Sequence, residues 1–378
     1  MDFTKLDAYL DILSKLNVPG CDLAVYQDHK MIYRRQAGWR NDEKTEPMRG
    51  DEAYFLYSCT KVFTTCAAMQ LISQGKMRLD DPVSAYLPAY GRLTVKEGDT
   101  VRPAKTVMTV RHLMSMQSGL NYDMGSPAVQ AVRKAYGSRT TTRQLVDAKA
   151  QDPLEFDPGD NFLYSLSHDV LAAVIEEASG QRFSDYLREH IYAPLGLKTM
   201  SFRLTDEVKG RMCPLYEYDP SAYRLNLCSI EKEAAKRCNS EYESGGGGLI
   251  GDVQDYITFV DALACGGRSR EGELILAPEM IQLWSANQLG PRSRQSFDGW
   301  KRVGYSYALG VRTRVNDVIG GGGPVGEFGW DGAAGAWAMI DPKHRLSAFF
   351  GMHVLNYGYN YDVIHPTLRN LIYEGLEK

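Results

Sequence analysis

The chain is expected to be an α+β protein, with one mainly antiparallel sheet flanked by terminal helices and a mainly helical domain inserted between. Three observations predict this. Runs with strand character lie towards both ends of the chain, and helical periodicity dominates its middle. The length of 378 residues also exceeds what one small core usually organises, so two subdomains are expected. The expected division is a discontinuous sheet-bearing domain of residues 1–78 plus 241–378, an inserted domain of residues 79–240, and an active site between them.

The elements follow in order. Leu6, Leu10, Leu13 and Leu16 recur at helical spacing, so the chain opens on an amphipathic helix ending near Pro19-Gly20. Residues 21–26 and 31–37 read as strands joined by the polar turn Gln27-Asp28-His29-Lys30. A second helix should start at about Ser58, because Val62, Phe63, Cys66, Ala67, Met69, Leu71 and Ile72 share a helical period, and Gly75 stops it. Helices are expected over 110–116, 142–150, 168–178 and 183–190 in the middle, then over 252–264 and 278–284. Strands are expected over 305–315, 335–340 and 346–355, and a last helix over 363–376.

Composition narrows the function. The formal net charge is −4 with the charges dispersed, and no basic stripe marks a nucleic-acid partner. No apolar run approaches the roughly 18 residues needed to span a bilayer. Acids from position 2 argue against a secretory signal. The seven cysteines are scattered, with no Cys-x-x-Cys, which reads as reduced thiols in a cytoplasmic protein.

Ser58-Cys59-Thr60-Lys61 is a Ser-x-x-Lys pattern at a helix start, a spacing that puts both side chains on one face. A serine hydroxyl is a poor nucleophile until a base takes its proton, and a lysine serves only when burial or other cations lower its pKa. The helix N-terminus adds N–H groups that stabilise a developing oxyanion. Ser58 could equally be a plain N-cap. The chain holds a second copy, Ser229-Ile230-Glu231-Lys232, in a charged stretch where the lysine should be solvated.

Further segments decide between those readings of Ser58. They are GKMRLDDPVSAYLP (75–88), TVRHLMSMQSGL (109–120), FDPGDNFLYSLSHDVLAAVIEEASG (156–180), APLGLKTMSF (193–202) and GGGGLIGDVQDYITF (245–259). In their order and spacing the chain resembles the serine β-lactamase and penicillin-binding-protein superfamily, in particular the branch of class C β-lactamases and family VIII carboxylesterases. The resemblance runs from about Cys21 to Leu355 and implies the β-lactamase/transpeptidase-like fold. It implies Ser58 as nucleophile with Lys61 as its activator.

The family's Tyr-x-Asn motif falls on Tyr164-Ser165-Leu166, so Tyr164 is implied to relay protons. Leu166 replaces an amide that helps hold lysine and substrate. The Lys-Thr-Gly motif falls on Trp330-Asp331-Gly332, all three expected to line the substrate site, with Trp330 offering an apolar wall and one N–H in place of a cation. The N–H groups of Ser58 and Ala333 are implied as the oxyanion hole. Tryptophan is frequent here in family VIII esterases, so the resemblance points to a carboxylesterase on small or aryl esters. A β-lactamase, a D-amino-acid peptidase, an acyltransferase or a non-catalytic ligand-binding member of the fold would use the same core residues.

Other signals are set aside. Gly246 to Gly251 matches Gly-x-Gly-x-x-Gly, but the preceding polar CNSEYES is no buried strand, so a glycine-rich strand near the site and a helix capped by Asp252 are expected instead. The histidines show no metal-ligand spacing; no metal or other cofactor is expected, and His168 reads as a surface residue at a helix start. The partner is a small-molecule ester or amide.

Overall fold

The computed structural model describes residues 1–237 and 241–377. Cys238 and the 240/241 domain boundary fall at or within the stretch outside them. The main sheet has seven strands, and every neighbouring pair is antiparallel. From edge to edge they are Lys30–Gly38, Gly20–Gln27, Leu346–Met352, Trp337–Asp341, Phe328–Gly329, Arg312–Arg314 and Tyr305–Tyr307. Both ends of the chain supply it, as expected.

Side-chain alternation explains why its central strands are apolar throughout. Leu23, Val25, Trp337, Met339, Ala348 and Phe350 face one core, with Leu6, Leu10 and Leu13 of helix Thr4–Leu13 and Leu368 and Ile372 of helix His365–Leu376. Ala24, Ala338, Ile340 and Phe349 face the other, larger core, which includes Val253, Tyr256, Ile257 and Val260 of helix Val253–Ala264. Tyr256 stacks on Phe349 at 3.9 Å, and Phe63 stacks on Phe259 at the same distance. Asp252 caps that helix through the Asp255 N–H at 2.8 Å, as its sequence implied.

Four expectations needed correction. The single strand over 305–315 is two short antiparallel strands, because the chain reverses at Gly310, whose φ of +91° and near contacts with Thr65 and His168 exclude a side chain. The run 346–355 is likewise divided: Val354–Leu355 pairs in parallel with Tyr216–Asp219 in a separate three-stranded sheet. The middle carries two hairpins besides its helices, Thr94–Glu97 with Thr100–Pro103 and Tyr216–Asp219 with Arg224–Leu227. The first helix stops at Leu13, short of Leu16. Among the described residues no helix is long and apolar enough to cross a membrane.

The helix Thr60–Ser73 is buried along nearly its whole length, from Thr60 to Leu71, so its sequence is apolar around most of its circumference rather than on one stripe. It packs against helices Ser167–Ser179, Phe183–Leu187 and Pro278–Ser285. Such enclosure holds the residues at its N-terminus rigidly.

Candidate active site

Strand Ala53–Phe55 pairs with Ile250–Asp252 and delivers the chain to a 3₁₀ turn, Tyr57–Cys59, that runs into helix Thr60–Ser73. Tyr57 sits at φ +46°, a left-handed conformation that costs energy for a bulky residue. Its surroundings enforce it: the Tyr57 hydroxyl donates to Glu233 at 3.1 Å, and Arg237 lies over its ring at 4.4 Å. Beyond this bend Ser58 is partly exposed, while its neighbours Tyr57 and Cys59 are buried.

Lys61, one helical turn further on, is fully buried. Its Nζ lies 3.2 Å from Ser58 Oγ, 3.1 Å from the Tyr122 hydroxyl and 2.6 Å from the Gly246 carbonyl oxygen. The Tyr164 ring faces it at 4.6 Å. Burial lowers the Lys61 pKa to about 7, against the opposing pull of Asp169. The approach of Gly246 needs a glycine, since a Cβ there would stand 2.4 Å from the Asp169 carboxylate. Asp169 is itself engaged at Oδ1 by Tyr242 and Ser244. The glycine run thus supplies close backbone to the lysine, although the strand begins only at Ile250.

The Tyr164 hydroxyl accepts a hydrogen bond from Trp330 Nε1 at 2.8 Å. Burial raises its pKa despite hydrogen bonds with Ser58 and Trp330, so it is a neutral phenol at physiological pH. Ser58, Tyr122, Tyr164, Leu166, Gly246 and Ala333 line one cleft of about 520 Å³. The structure therefore brings together Ser58, Lys61, Tyr164, Leu166 and Ala333.

The motif Trp330-Asp331-Gly332 behaves differently from expectation. Trp330 is 2% exposed and spends its N–H on Tyr164, so it braces the tyrosine instead of offering a donor to substrate. Asp331 is no substrate contact: its carboxylate turns away to Arg302 at 2.6 Å and Arg312 at 2.9 Å. Those cations keep its pKa below the usual range although burial works the other way. Gly332 is buried too, and its role is steric, because a Cβ would come within 2.6 Å of the Leu56 carbonyl oxygen. His168 is fully buried, not a surface residue, and burial lowers its pKa to about 3.

Tyr122 was missed in the sequence; it lies two residues past the segment 109–120, and one tyrosine among 23 carries no signal of its own. The second Ser-x-x-Lys copy behaves as expected, with Lys232 exposed, yet its helix Ile230–Arg237 turns Glu233 inward to hold Tyr57. Among the described residues, His29, Asp261 and Cys265 place ligand-type atoms within 4.8 Å of one another. This cluster shares no residue with the cleft, and the 2.8 Å His29–Asp261 contact serves to tie a hairpin turn to a helix. The six described cysteines are unpaired.

Comparison with known proteins bears on the family and the fold. Esterase EstB of Burkholderia gladioli is 27% identical over 368 residues, covering 91% of this chain and 88% of its own. Protein Rv1367c of Mycobacterium tuberculosis (strain ATCC 25618 / H37Rv) is 29% identical over 346 residues, covering 86% of this chain and 84% of its own. The solved structure titled "EstCE1, a hydrolase with promiscuous acyltransferase activity" shares the fold, with a TM-score of 0.80 at 23% identity and 98% of each chain covered. The fold is thus β-lactamase/transpeptidase-like. The family model described as Beta-lactamase matches residues 6–363, so the chain belongs to the Beta-lactamase family.

Proposed function

We propose that this chain is a serine hydrolase acting through an acyl-enzyme on Ser58, with small or aryl carboxylic esters as its substrates. The observation that carries the reading is a buried Lys61 Nζ, with a pKa of about 7, placed 3.2 Å from Ser58 Oγ. A neutral lysine has two N–H bonds and one lone pair. The Gly246 carbonyl and the Tyr122 hydroxyl are placed to accept the two N–H bonds, which leaves the lone pair for the Ser58 proton.

Ser58 Oγ bonds to the ester carbonyl carbon as its proton passes to Lys61. The oxyanion is held by the N–H groups of Ser58 and Ala333. Collapse breaks the bond to the leaving alkoxide, which takes a proton from the neutral Tyr164 hydroxyl, and Lys61 reprotonates the tyrosine. Water then attacks the acyl-enzyme by the same route and releases the acid. Leu166 gives the cleft an apolar wall where the family often has an amide, and Trp330 replaces a cation. Both favour esters over β-lactams, and EstB is named an esterase. On a division into residues 1–78 plus 241–378 and an insert 79–240, the first part supplies Ser58, Gly246 and Ala333 to the cleft, and the insert supplies Tyr122, Tyr164 and Leu166.

The test is a fluorophosphonate probe with peptide mass mapping, alongside a substrate panel. The expected result is one adduct on Ser58 and faster turnover of p-nitrophenyl butyrate than of a cephalosporin. An adduct elsewhere, or the reverse preference, would overturn the reading. The pH profile gives a second check. Below pH 7 Lys61 is protonated and cannot accept the serine proton, so kcat/KM should fall about tenfold per pH unit on that limb. A flat profile between pH 5 and pH 8 would exclude Lys61 as the base.

A further inference from the structure

Behind the segment 330–333, which joins strand Phe328–Gly329 to strand Trp337–Asp341, lies a second cavity of about 330 Å³, which shares no lining residue with the Ser58 cleft. We propose that it is a binding site for a phosphate group. Arg302, Arg312 and Arg369 line it, and Arg314 lies beside them at the glycine run 320–323. All four are largely buried; the most exposed side chain, Arg302, is 13% accessible. The buried acids facing them are Asp331 and Glu327. Asp331 binds Arg302 and Arg312, and Glu327 lies 3.6 Å from Arg312 and accepts from the Tyr305 hydroxyl. Asp341, the next buried acid, is engaged by Tyr373 and His344 instead. Two positive charges therefore exceed the acids that face them, in a place where unbalanced charge is costly.

Backbone oxygens meet part of that demand. The carbonyls of Gly320, Gly321 and Gly322 accept from Arg314, and that of Gly320 also from Arg369. This explains a glycine run that the reaction on Ser58 does not use. It leaves Arg302 Nε, Arg314 Nε and Arg369 Nε, all buried, with no hydrogen-bond partner. Lys301 and Asp362, both exposed and of opposite charge, also line the cavity. A phosphate group carries between one and two negative charges near pH 7 and several strong acceptors, which matches the excess charge and the free guanidinium donors.

Equilibrium dialysis of the wild-type protein with labelled inorganic phosphate should give one saturable site per chain. Thermal unfolding should shift upward with the same concentration dependence, at constant ionic strength. Arg302→Gln should weaken binding about tenfold or more, as expected for losing a charged hydrogen-bond donor. Arg188→Gln, at an exposed position outside the cavity, should leave binding unchanged. Protein whose Ser58 has been phosphonylated should bind phosphate as before, which separates this site from the cleft. Non-saturating binding, equal affinity for acetate, undiminished binding in Arg302→Gln or loss of binding on phosphonylation would each overturn the proposal. The wild-type dialysis decides the matter even if Arg302→Gln fails to fold.

Discussion

Ser58→Ala and Lys61→Met are each expected to cut kcat/KM on p-nitrophenyl butyrate by about 10²–10⁴-fold, and the double variant by little more than the worse single one. The two residues act as a unit: a serine without a base is a poor nucleophile, and a base without the serine has no proton to take. Lys61→Arg should fail to rescue, because a guanidinium with a pKa above about 12 has no lone pair to offer at neutral pH. Lys61→Met should also make the protein more resistant to urea at neutral pH. The folded-state pKa of about 7 lies below the ordinary lysine value of 10.5, so between these limits the unfolded chain binds the extra proton. Lys61 thus costs stability at pH 7, and its cost disappears only as pH rises past the unfolded value. Methionine removes the buried amine and keeps most of the packing. Activity measured with urea unfolding separates a chemical loss from a folding loss. A Lys61→Met protein that retained a tenth of wild-type activity would place the base elsewhere.

Asp331→Ala should destabilise the fold by about 3–5 kcal/mol, because it strips Arg302 and Arg312 of their shared carboxylate inside the protein. Urea unfolding in phosphate-free buffer would show a lower midpoint with an unchanged slope. KM for the ester should stay within a factor of about two, since Asp331 faces away from the cleft and removing uniform substrate binding would raise KM. A large rise in KM with unchanged stability would restore Asp331 to the substrate site.

How far each feature could be read follows from the range of the interaction that creates it. The Ser58 helix and the paired strands near 20–38 rest on local periodicity and stand where the residues placed them to within a few positions, whereas the first helix forms but ends at Leu13, well before Pro19-Gly20. The 305–315 segment does not read as two strands because the turn at Gly310 is packed against Thr65 and His168, which are far away in the chain and leave no room there for a side chain. His168 looked like a surface residue for a related reason: nothing next to it in sequence reveals that the Ser58 helix and the strand turn close over it. Tyr122 and Glu233 carry no motif, and only folding sets them against Lys61 and Tyr57.

By itself the sequence determined the α+β class, the family resemblance and the Ser58–Lys61 pair, since a spacing of three residues on a helix makes contact a local matter. Tertiary structure decided everything that depends on burial and on long-range approach. Enclosure by several distant segments is what lowers the Lys61 pKa and holds Tyr164 as a neutral phenol. The same enclosure turned the motif at 330–332 inside out: its tryptophan holds a tyrosine, and its aspartate neutralises arginines at a cavity separate from the cleft. Adjacent residues of an extended segment point to opposite sides, but which side meets the substrate is fixed by what packs against each.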